Sequence, residues 1–507
     1  MKTLKYILSL ALMFCMVFSL TGIVYAADTA QGSDADEATD EEAGIMPLSA
    51  ITMGTKPDNG TTTGNPFVTG TGGSNSYRIP ALVTLSDGTL VAAADARWNT
   101  TYDGGGLDTV VSRSTDNGTN WSYTFANYLG DNGNVYNSSG STSFIDPALA
   151  VTSNDTIYML CDLYPYGVAL NGDGGQTAPS MSVGFNAAGD LKLKKPEETG
   201  YNYYLKNGKI YDSSNQIVEG YTVDEYFNIQ GENTESNLFF SDSPFQVVRT
   251  GYLYLTTSTD KGETWSAPKL LNLKTDSERV CLVAPGRGTV TSDGEIIFPC
   301  YSYSGGDASQ SVSFIYSTNG TDWQRSDSLS ASVGWSSESQ CVELSDDTLR
   351  FFFRNNSCRI CYVDATKSAN GYSWGNDIET DVVVNSNTEI SAIKYSSLID
   401  GQQAILVSCP TGPRGEGSNR SGAGYRLNGK IFVGLVKNDG TMEWKYSKAV
   451  TENENPFMYS CLTEMANGSV AILYENLENS WGTGPNCYYA MAFDTYTISE
   501  IAPGASM

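Results

Sequence analysis

The charged residues that stand outside a structural pattern are few and widely spaced. Arg78 lies in Tyr77-Arg-Ile-Pro80, followed by Ala-Leu-Val and a Ser86-Asp-Gly-Thr89 turn. Arg97 and Asp103 come nineteen and twenty-five residues after Arg78. Asp103 sits in the Gly-rich run Tyr102-Asp-Gly-Gly-Gly106, where a carboxylate can project into a cleft. Asp146 precedes Pro147. Glu338 stands sixteen residues before Arg354, which ends the apolar run Phe351-Phe-Phe. An unpaired guanidinium there is costly, so a bound anion or a partner carboxylate is expected. Arg426 enters the strand-like Leu-Asn-Gly-Lys-Ile-Phe-Val433, Tyr459 opens Tyr-Ser-Cys-Leu, and Glu475 ends Ile472-Leu-Tyr. Carboxylates can move protons, and guanidiniums make planar, paired bonds to an anion. Several positions have neighbours of the same type: Asp108 for Asp103, Glu343 for Glu338, Arg359 for Arg354, and Arg414 and Arg420 for Arg426. With no histidine among 507 residues, Ser-His-Asp triads, Cys-His pairs and His-ligated zinc are excluded.

The elements that must position these groups are strands. Gly 51, Tyr 31 and many short apolar runs indicate β structure with frequent turns. One turn motif recurs. Ser114-Thr-Asp-Asn-Gly-Thr-Asn-Trp121 and Ser258-Thr-Asp-Lys-Gly-Glu-Thr-Trp265 are full copies of S-x-D-x-G-x-x-W. Degraded copies end at Trp323, Trp374 and Trp444. In each, Asp or Asn can bond the turn backbone, Gly can take positive φ, and Trp can pack beneath.

These turns resemble the Asp boxes of the sialidase-like β-propeller, and Tyr77-Arg-Ile-Pro80 resembles that family's F/Y-R-I-P motif. The resemblance implies an all-β fold, a six-bladed propeller over 76–165 and 248–507. It also implies a small inserted β domain over 166–247, because Trp121 to Trp265 is about 80 residues longer than the other intervals. A skipped blade is the alternative. By position, the resemblance implies Arg78, Arg354 and Arg426 as the three arginines that bind the sugar's carboxylate. Arg97 is an auxiliary arginine that also binds substrate, Asp103 the acid/base, Asp146 a contact to the sugar, Glu338 the general base, Tyr459 the nucleophile and Glu475 the support of Arg78.

The implied activity is a retaining exo-sialidase acting on sialylated glycans. Sialic acid carries a carboxylate on its anomeric carbon, so a carboxylate nucleophile would meet like charge, whereas a neutral phenol would not. Tyrosine is only about one part in a thousand ionised at pH 7, a shortfall of about 4 kcal/mol that a general base must offset. An intramolecular trans-sialidase giving 2,7-anhydro product would use the same residues, with Trp481 placed where it could crowd the pocket. A non-catalytic sialic-acid-binding lectin would keep the boxes and lose the arginines, the tyrosine or the aspartate.

The remaining features bound the setting. Lys2, Lys5, the apolar run Ile7 to Val24 and Val-Tyr-Ala26 read as a signal peptide over 1–26, so secretion without a transmembrane anchor is expected. Residues 27–75 read as an acidic, then Gly- and Thr-rich disordered lead. The net charge of −27 argues against nucleic acid as partner, and a monomer is expected. Of the ten cysteines, the nine that follow the signal segment are scattered through apolar runs and read mostly as buried free thiols, and Cys358-Arg-Ile-Cys361 as strand. No cofactor or metal is required; acidic loops leave structural calcium open, without EF-hand spacing.

Overall fold

The computed structural model describes residues 56–98, 102–129, 142–172, 176–231, 234–305, 309–345, 347–413, 425–477 and 489–507. Six sheets run in chain order. Blade 1 holds Tyr77–Thr84, Leu90–Ala96, Asp108–Ser114 and Asn120–Asn127; blade 2 holds Ser143–Val151, Ile157–Tyr164, Tyr252–Ser258 and Lys269–Leu271. Blade 3 is built on Val280–Val283, Ile296–Tyr303, Ser311–Ser317 and Gln324–Arg325, and blade 4 on Ser339–Ser345, Thr348–Phe353, Arg359–Ser368 and Gly371–Trp374. Blade 5 comprises Ser391–Lys394, Ala404–Pro410, Gly429–Val436 and Met442–Ala449. Blade 6 comprises Ser460–Glu464, Val470–Leu477 and Tyr489–Tyr496. The inner strands pack blade to blade, and that of blade 6 returns to that of blade 1, closing a ring. This is a six-bladed β-propeller.

Strand alternation explains the ring. In blade 1, Leu82, Leu90, Ala92 and Ala94 enter one cluster with Cys461, Leu473 and Met491 of blade 6. Their neighbours Ala81, Val83, Val91, Ala93 and Val111 enter another with Leu149, Ile157 and Met159 of blade 2. Successive side chains point to opposite faces, and both faces are covered, so both must be apolar.

The five boxes are the hairpins joining the third and fourth strands of blades 1 to 5. In the first, the Gly118 amide donates to Ser114 Oγ at 2.9 Å, the Asn120 amide to Asp116 Oδ1 at 2.8 Å, and Trp121 Nε1 to Gly118 O at 2.9 Å. Each box also touches the preceding blade. A Cβ on Gly118 would lie 2.2 Å from Phe493 of blade 6; on Gly262, 3.4 Å from Val91 of blade 1; on Gly320, 2.1 Å from Tyr158 of blade 2. Gly371 faces Tyr316 of blade 3, and Gly440 O accepts from Arg350 of blade 4.

The long interval between the first two boxes lies inside blade 2. Between Tyr164 and Tyr252 the chain forms a four-stranded sheet (Leu191–Lys194, Tyr203–Lys206, Lys209–Asp212, Gln246–Val247) and a three-stranded one (Tyr221–Val223, Asn228–Gly231, Thr234–Asn237). They share an apolar cluster with Phe144, Cys161 and Leu163 of blade 2. No blade is skipped.

The expected lead requires correction at its C-terminal end. Gly60–Thr63 pairs with Asn120–Asn127 on the outer edge of blade 1, and Phe67 stacks on Tyr77 at 5.6 Å. An outer strand with unpaired backbone groups offers an edge, and the polar Thr run satisfies it without needing a core of its own. The signal segment, residues 28–55, Cys487 and Trp481 lie outside the described residues. All eight described cysteines are free thiols, and Cys361 lies in the strand Arg359–Ser368. Among the described residues no helix is long and apolar enough to cross a membrane.

Gly118→Ala combines positive φ (86°) with the Phe493 clash, whereas Gly262→Ala meets only positive φ (83°). Denaturant unfolding should show a loss of about 3 kcal/mol for the first and about 1 kcal/mol for the second.

Candidate active site

The innermost strands of blades 1 and 2 are bent by one shared device. Blade 1 shifts register between Arg78 and Ala81, and blade 2 between Ile145 and Ala148. At each bulge the residue before a proline has positive φ: Ile79 and Asp146, both 62°. The proline supplies no amide to the ladder, and a β-branched residue in this region is strained. The bulges bring Arg78 and Asp146 to a cavity of about 210 Å³, also lined by Asp103, Glu338, Arg354 and Tyr459.

Tyr459 is the centre of this cavity. Its hydroxyl donates to Glu338 Oε1 at 2.5 Å and accepts from Arg354 Nη1 at 2.9 Å. The guanidiniums of Arg78 and Arg426 each stand 5.3 Å from its ring centroid. Thus Arg78 of blade 1, Arg354 at the end of a blade 4 strand, and Arg426 before a blade 5 strand meet one tyrosine at the entry to blade 6. Burial pushes the phenol well above its ordinary range; Arg354 pulls it down and Glu338 pushes it up.

Each cation is held. Arg78 donates through Nε and Nη2 to Glu475 at 2.9 and 3.2 Å, and the same fully buried carboxylate accepts the Ile79 amide at 2.8 Å. Arg354 donates to Glu338 Oε2 at 2.9 Å and through Nε and Nη2 to Asn387 Oδ1 at 3.0 and 2.8 Å. Arg426 donates twice to the Asn387 carbonyl, at 3.1 and 2.8 Å. Asn387 therefore ties two of the three arginines together.

Asp103 is half exposed, at 48 %, and accepts from Arg97 Nη1 at 2.6 Å and Arg78 Nη1 at 3.2 Å. Burial works to raise its carboxyl, but Arg97 and Arg78 prevail and hold it at about 2. Asp146 is pushed well above the carboxylate range by burial, with Asp95, Glu338 and Asp103 adding to it.

Arg97, expected to contact substrate, is differently placed. Its side chain is fully buried and donates to Asp95, to the Tyr102 carbonyl and to Asp103, so it positions the Asp103 loop. The alternatives separate clearly. Asp108 accepts Trp98 Nε1 at 3.1 Å and the Leu129 amide. Glu343 holds Ser292, and Arg359 donates to Asp381 O. Arg414 and Arg420 lie outside the described residues. Sequence reasoning missed Asp95 and Asn387, and also two rings that line the cavity, Tyr301 and Trp335, the latter 5.9 Å from the Arg354 guanidinium. Asp95 had a signal, as an acid inside the apolar run Val91-Ala-Ala-Ala; Asn387 had none.

A tyrosine clasped by arginines thus stands at the hub of an Asp-box propeller. A family model described as a BNR repeat-like domain matches residues 230–472. The chain is 31 % identical over 495 residues to an anhydrosialidase of Macrobdella decora, and 30 % identical over 459 residues to Sialidase B of Streptococcus pneumoniae. These alignments take in 85 % and 80 % of this chain; it spans 62 % of the length of each relative. The structure of the intramolecular trans-sialidase from Ruminococcus gnavus in complex with oseltamivir carboxylate matches with TM-score 0.72 at 28 % identity, over 84 % of this chain and 96 % of that one. The leech intramolecular trans-sialidase complexed with 2,7-anhydro-Neu5Ac matches with TM-score 0.71 at 29 % identity, over 84 % of this chain and 69 % of that one. Over most of its length the chain is similar to sialidases in sequence and in fold.

Glu475→Gln leaves the buried Arg78 with only the half-exposed Asp103 as counter-charge. Denaturant unfolding should show a loss of about 3 kcal/mol, whereas Glu464→Gln, at an exposed contact with Ser396, should stay within about 0.5 kcal/mol.

Proposed function

We propose that this site is an exo-α-sialidase centre that releases terminal sialic acid with retention, through a covalent sialyl-tyrosine. The observation that carries the reading is the Tyr459 hydroxyl held between Glu338 and Arg354. As the phenol oxygen attacks C2, its proton passes to Glu338, and Arg354 meets the charge growing on the oxygen. The C2–O bond to the glycan breaks, and Asp103 protonates the departing oxygen. In the second half, a hydroxyl attacks C2 as its proton returns to Asp103. The C2–Oη bond breaks as the new C2–O bond forms, and Glu338 returns the proton to the Tyr459 oxygen.

Substrate recognition follows from Arg78, Arg354 and Arg426, whose planar donors suit a carboxylate on the anomeric carbon. Binding also prepares the acid. In the free protein the arginines keep Asp103 ionised at neutral pH. A bound sugar carboxylate cancels part of that positive charge, which raises the Asp103 pKa toward a value at which it can donate.

Tyr459→Phe should lower kcat on a fluorogenic sialoside by at least about a thousandfold while sialic-acid binding persists. Asp103→Ala should lose far more activity on sialyllactose than on an aryl sialoside, whose leaving group needs little protonation. Turnover by Tyr459→Phe at the parent rate would overturn the nucleophile assignment.

A second reading differs only in the attacking hydroxyl. The relatives named anhydrosialidase and intramolecular trans-sialidase favour attack by the sugar's own 7-hydroxyl, giving a 2,7-anhydro product. Mass spectrometry of the product from 3′-sialyllactose distinguishes the two, because the anhydro sugar is lighter by one water. Free sialic acid as the initial product is the expected outcome, and the anhydro sugar replaces it if the intramolecular route operates.

A further inference from the structure

The four-stranded sheet of the insertion has one face in the core and one toward solvent. Leu191, Leu193 and Ile210 join the apolar cluster shared with blade 2, and Tyr203 and Leu205 pack against it. Side chains alternate along a strand, so Lys192, Lys194, Tyr204, Lys206, Lys209 and Tyr211 belong to the opposite face. Register sets them side by side. Lys192 lies opposite Tyr204, Tyr204 opposite Tyr211, Tyr211 opposite Ile217, and Lys206 opposite Lys209. Lys206, Lys209 and Ile217 are exposed; Lys192, Lys194, Tyr204 and Tyr211 are partly so.

This face is basic on an acidic protein. The chain carries 30 basic and 57 acidic residues, yet residues 191–210 hold five lysines and two glutamates. Among the described residues the ion-paired lysines are Lys261, Lys367 and Lys445, so none of the four outward ones is paired. The fifth, Lys195, turns back over the rings of Tyr203 and Phe245. Acids close in sequence are engaged in their own turns and loops. Glu198 accepts from the Tyr203 hydroxyl at 3.1 Å, Asp190 from Asn186, and Asp212 from the amides of Ser214 and Gln216.

Lys206 and Lys209 flank the two-residue turn Asn207-Gly208, where both residues take positive φ (50° and 72°). Like charges directly opposite each other weaken a hairpin. An anion bridging the two ammoniums turns that repulsion into attraction. Lys192 and Lys209 stand on strands two apart, roughly 10 Å across the sheet, and Tyr204 lies between them. A glycan with acids on successive or alternate rings spaces its charges comparably, and its C–H faces suit tyrosine rings. Duplex nucleic acid packs one charge into about 1.7 Å, far denser than these lysines, and the rest of a chain at −27 repels it. Ile217, at 40 % exposure, is the one aliphatic in these rows on that face, too little apolar area for a lipid surface.

We infer that the outer face of the inserted sheet docks an acidic glycan chain, its lysines taking the acid groups and the Tyr204–Tyr211 pair the sugar rings. That the polyanion is a sugar rests in part on the proposed sialidase function; the basic face does not.

The test titrates the full chain by calorimetry at low salt with three probes. Chondroitin sulfate bears sulfates and carboxylates, hyaluronan bears carboxylates alone, and inorganic polyphosphate bears charge without rings. None offers a terminal sialic acid, so the readout does not use Tyr459. Chondroitin sulfate should bind, about tenfold more weakly in Lys206→Gln/Lys209→Gln, as loss of two surface ion pairs gives. Tyr204→Ser should weaken it about threefold. Lys394→Gln/Lys437→Gln removes the same charge from exposed lysines of blade 5 and should change binding by less than about twofold. Turnover of a small aryl sialoside should be unchanged in every variant. The thermal midpoint of Lys206→Gln/Lys209→Gln should be unchanged or raised, because the repulsive pair is gone. Binding of hyaluronan too assigns the recognised acid as a carboxylate, and binding of chondroitin sulfate alone assigns it as a sulfate. No binding of either glycan, or equal weakening by the two lysine doubles, overturns the proposal. Polyphosphate binding as tightly as chondroitin sulfate, with no effect of Tyr204→Ser, shows that charge alone is read and also overturns it. Glycan docking as expected, beside parental turnover by Tyr459→Phe, sinks the catalytic reading alone.

Discussion

Bringing several guanidiniums and a phenol together out of water is the constraint on which this molecule is built. Like charges repel, and each buried cation needs its own acceptors. The structure answers with separate partners: Asp95 for Arg97, Glu475 for Arg78, and Glu338 with Asn387 for Arg354. Arg426 is the exception. Its bonds go to the Asn387 carbonyl, and among the described residues no carboxylate pairs with it. Burial, with Arg354 and Arg78 nearby, pulls its pKa below the ordinary value. It is therefore the least compensated of the three charges around Tyr459, and an incoming carboxylate relieves it most.

The site is also set by backbone that is strained in advance. Ile79 and Asp146 take positive φ just before Pro80 and Pro147, and each interrupts its ladder at the same place. The two segments are alike in sequence, Arg78-Ile-Pro-Ala-Leu82 and Ile145-Asp-Pro-Ala-Leu149. That internal repeat was legible and marks the two inner strands whose bulges face the cavity. Read singly, each looks like an X-Pro turn. Together they show a device used twice, which costs strain and spares both blades a loop at the hub.

Much of the rest was legible for definable reasons. The boxes announce blades because hairpin turn chemistry is local: Asp, Gly and Trp act within eight residues. The cationic cluster was legible through the resemblance to sialidase motifs; of its members only Arg354 was also marked by the residues alone, because it ends an apolar run where a charge must have a partner. Asn387 was not legible. It works through a side-chain oxygen and a backbone carbonyl at once, and nothing in Asn385-Ser-Asn-Thr marks that role. The edge strand Gly60–Thr63 was hidden for the opposite reason, since a polar, Thr-rich run reads as solvated until a partner edge is known. Arg97 was legible as an active-site arginine, but whether it faces substrate or holds Asp103 depends on Asp95, two residues away and fully buried.

The boxes themselves carry no chemistry, yet the chemistry depends on them through geometry. Each presents its turn to the preceding blade, through Phe493, Val91, Tyr158, Tyr316 and Arg350 in succession. At Gly118 and Gly320 the Cβ position is already filled by the neighbouring blade, which fixes the distance between two sheets at their outer rim. Because the sheets radiate from a closed ring of inner strands, spacing at the rim sets the angle at the hub. The arginines come from blades 1, 4 and 5 and the tyrosine from blade 6, so their convergence sums those angles around the ring. A hydrogen bond of 2.5 Å between Glu338 and Tyr459 spans the boundaries between blades 4, 5 and 6. It leaves little room for error, and close-packed contacts at each boundary tolerate little.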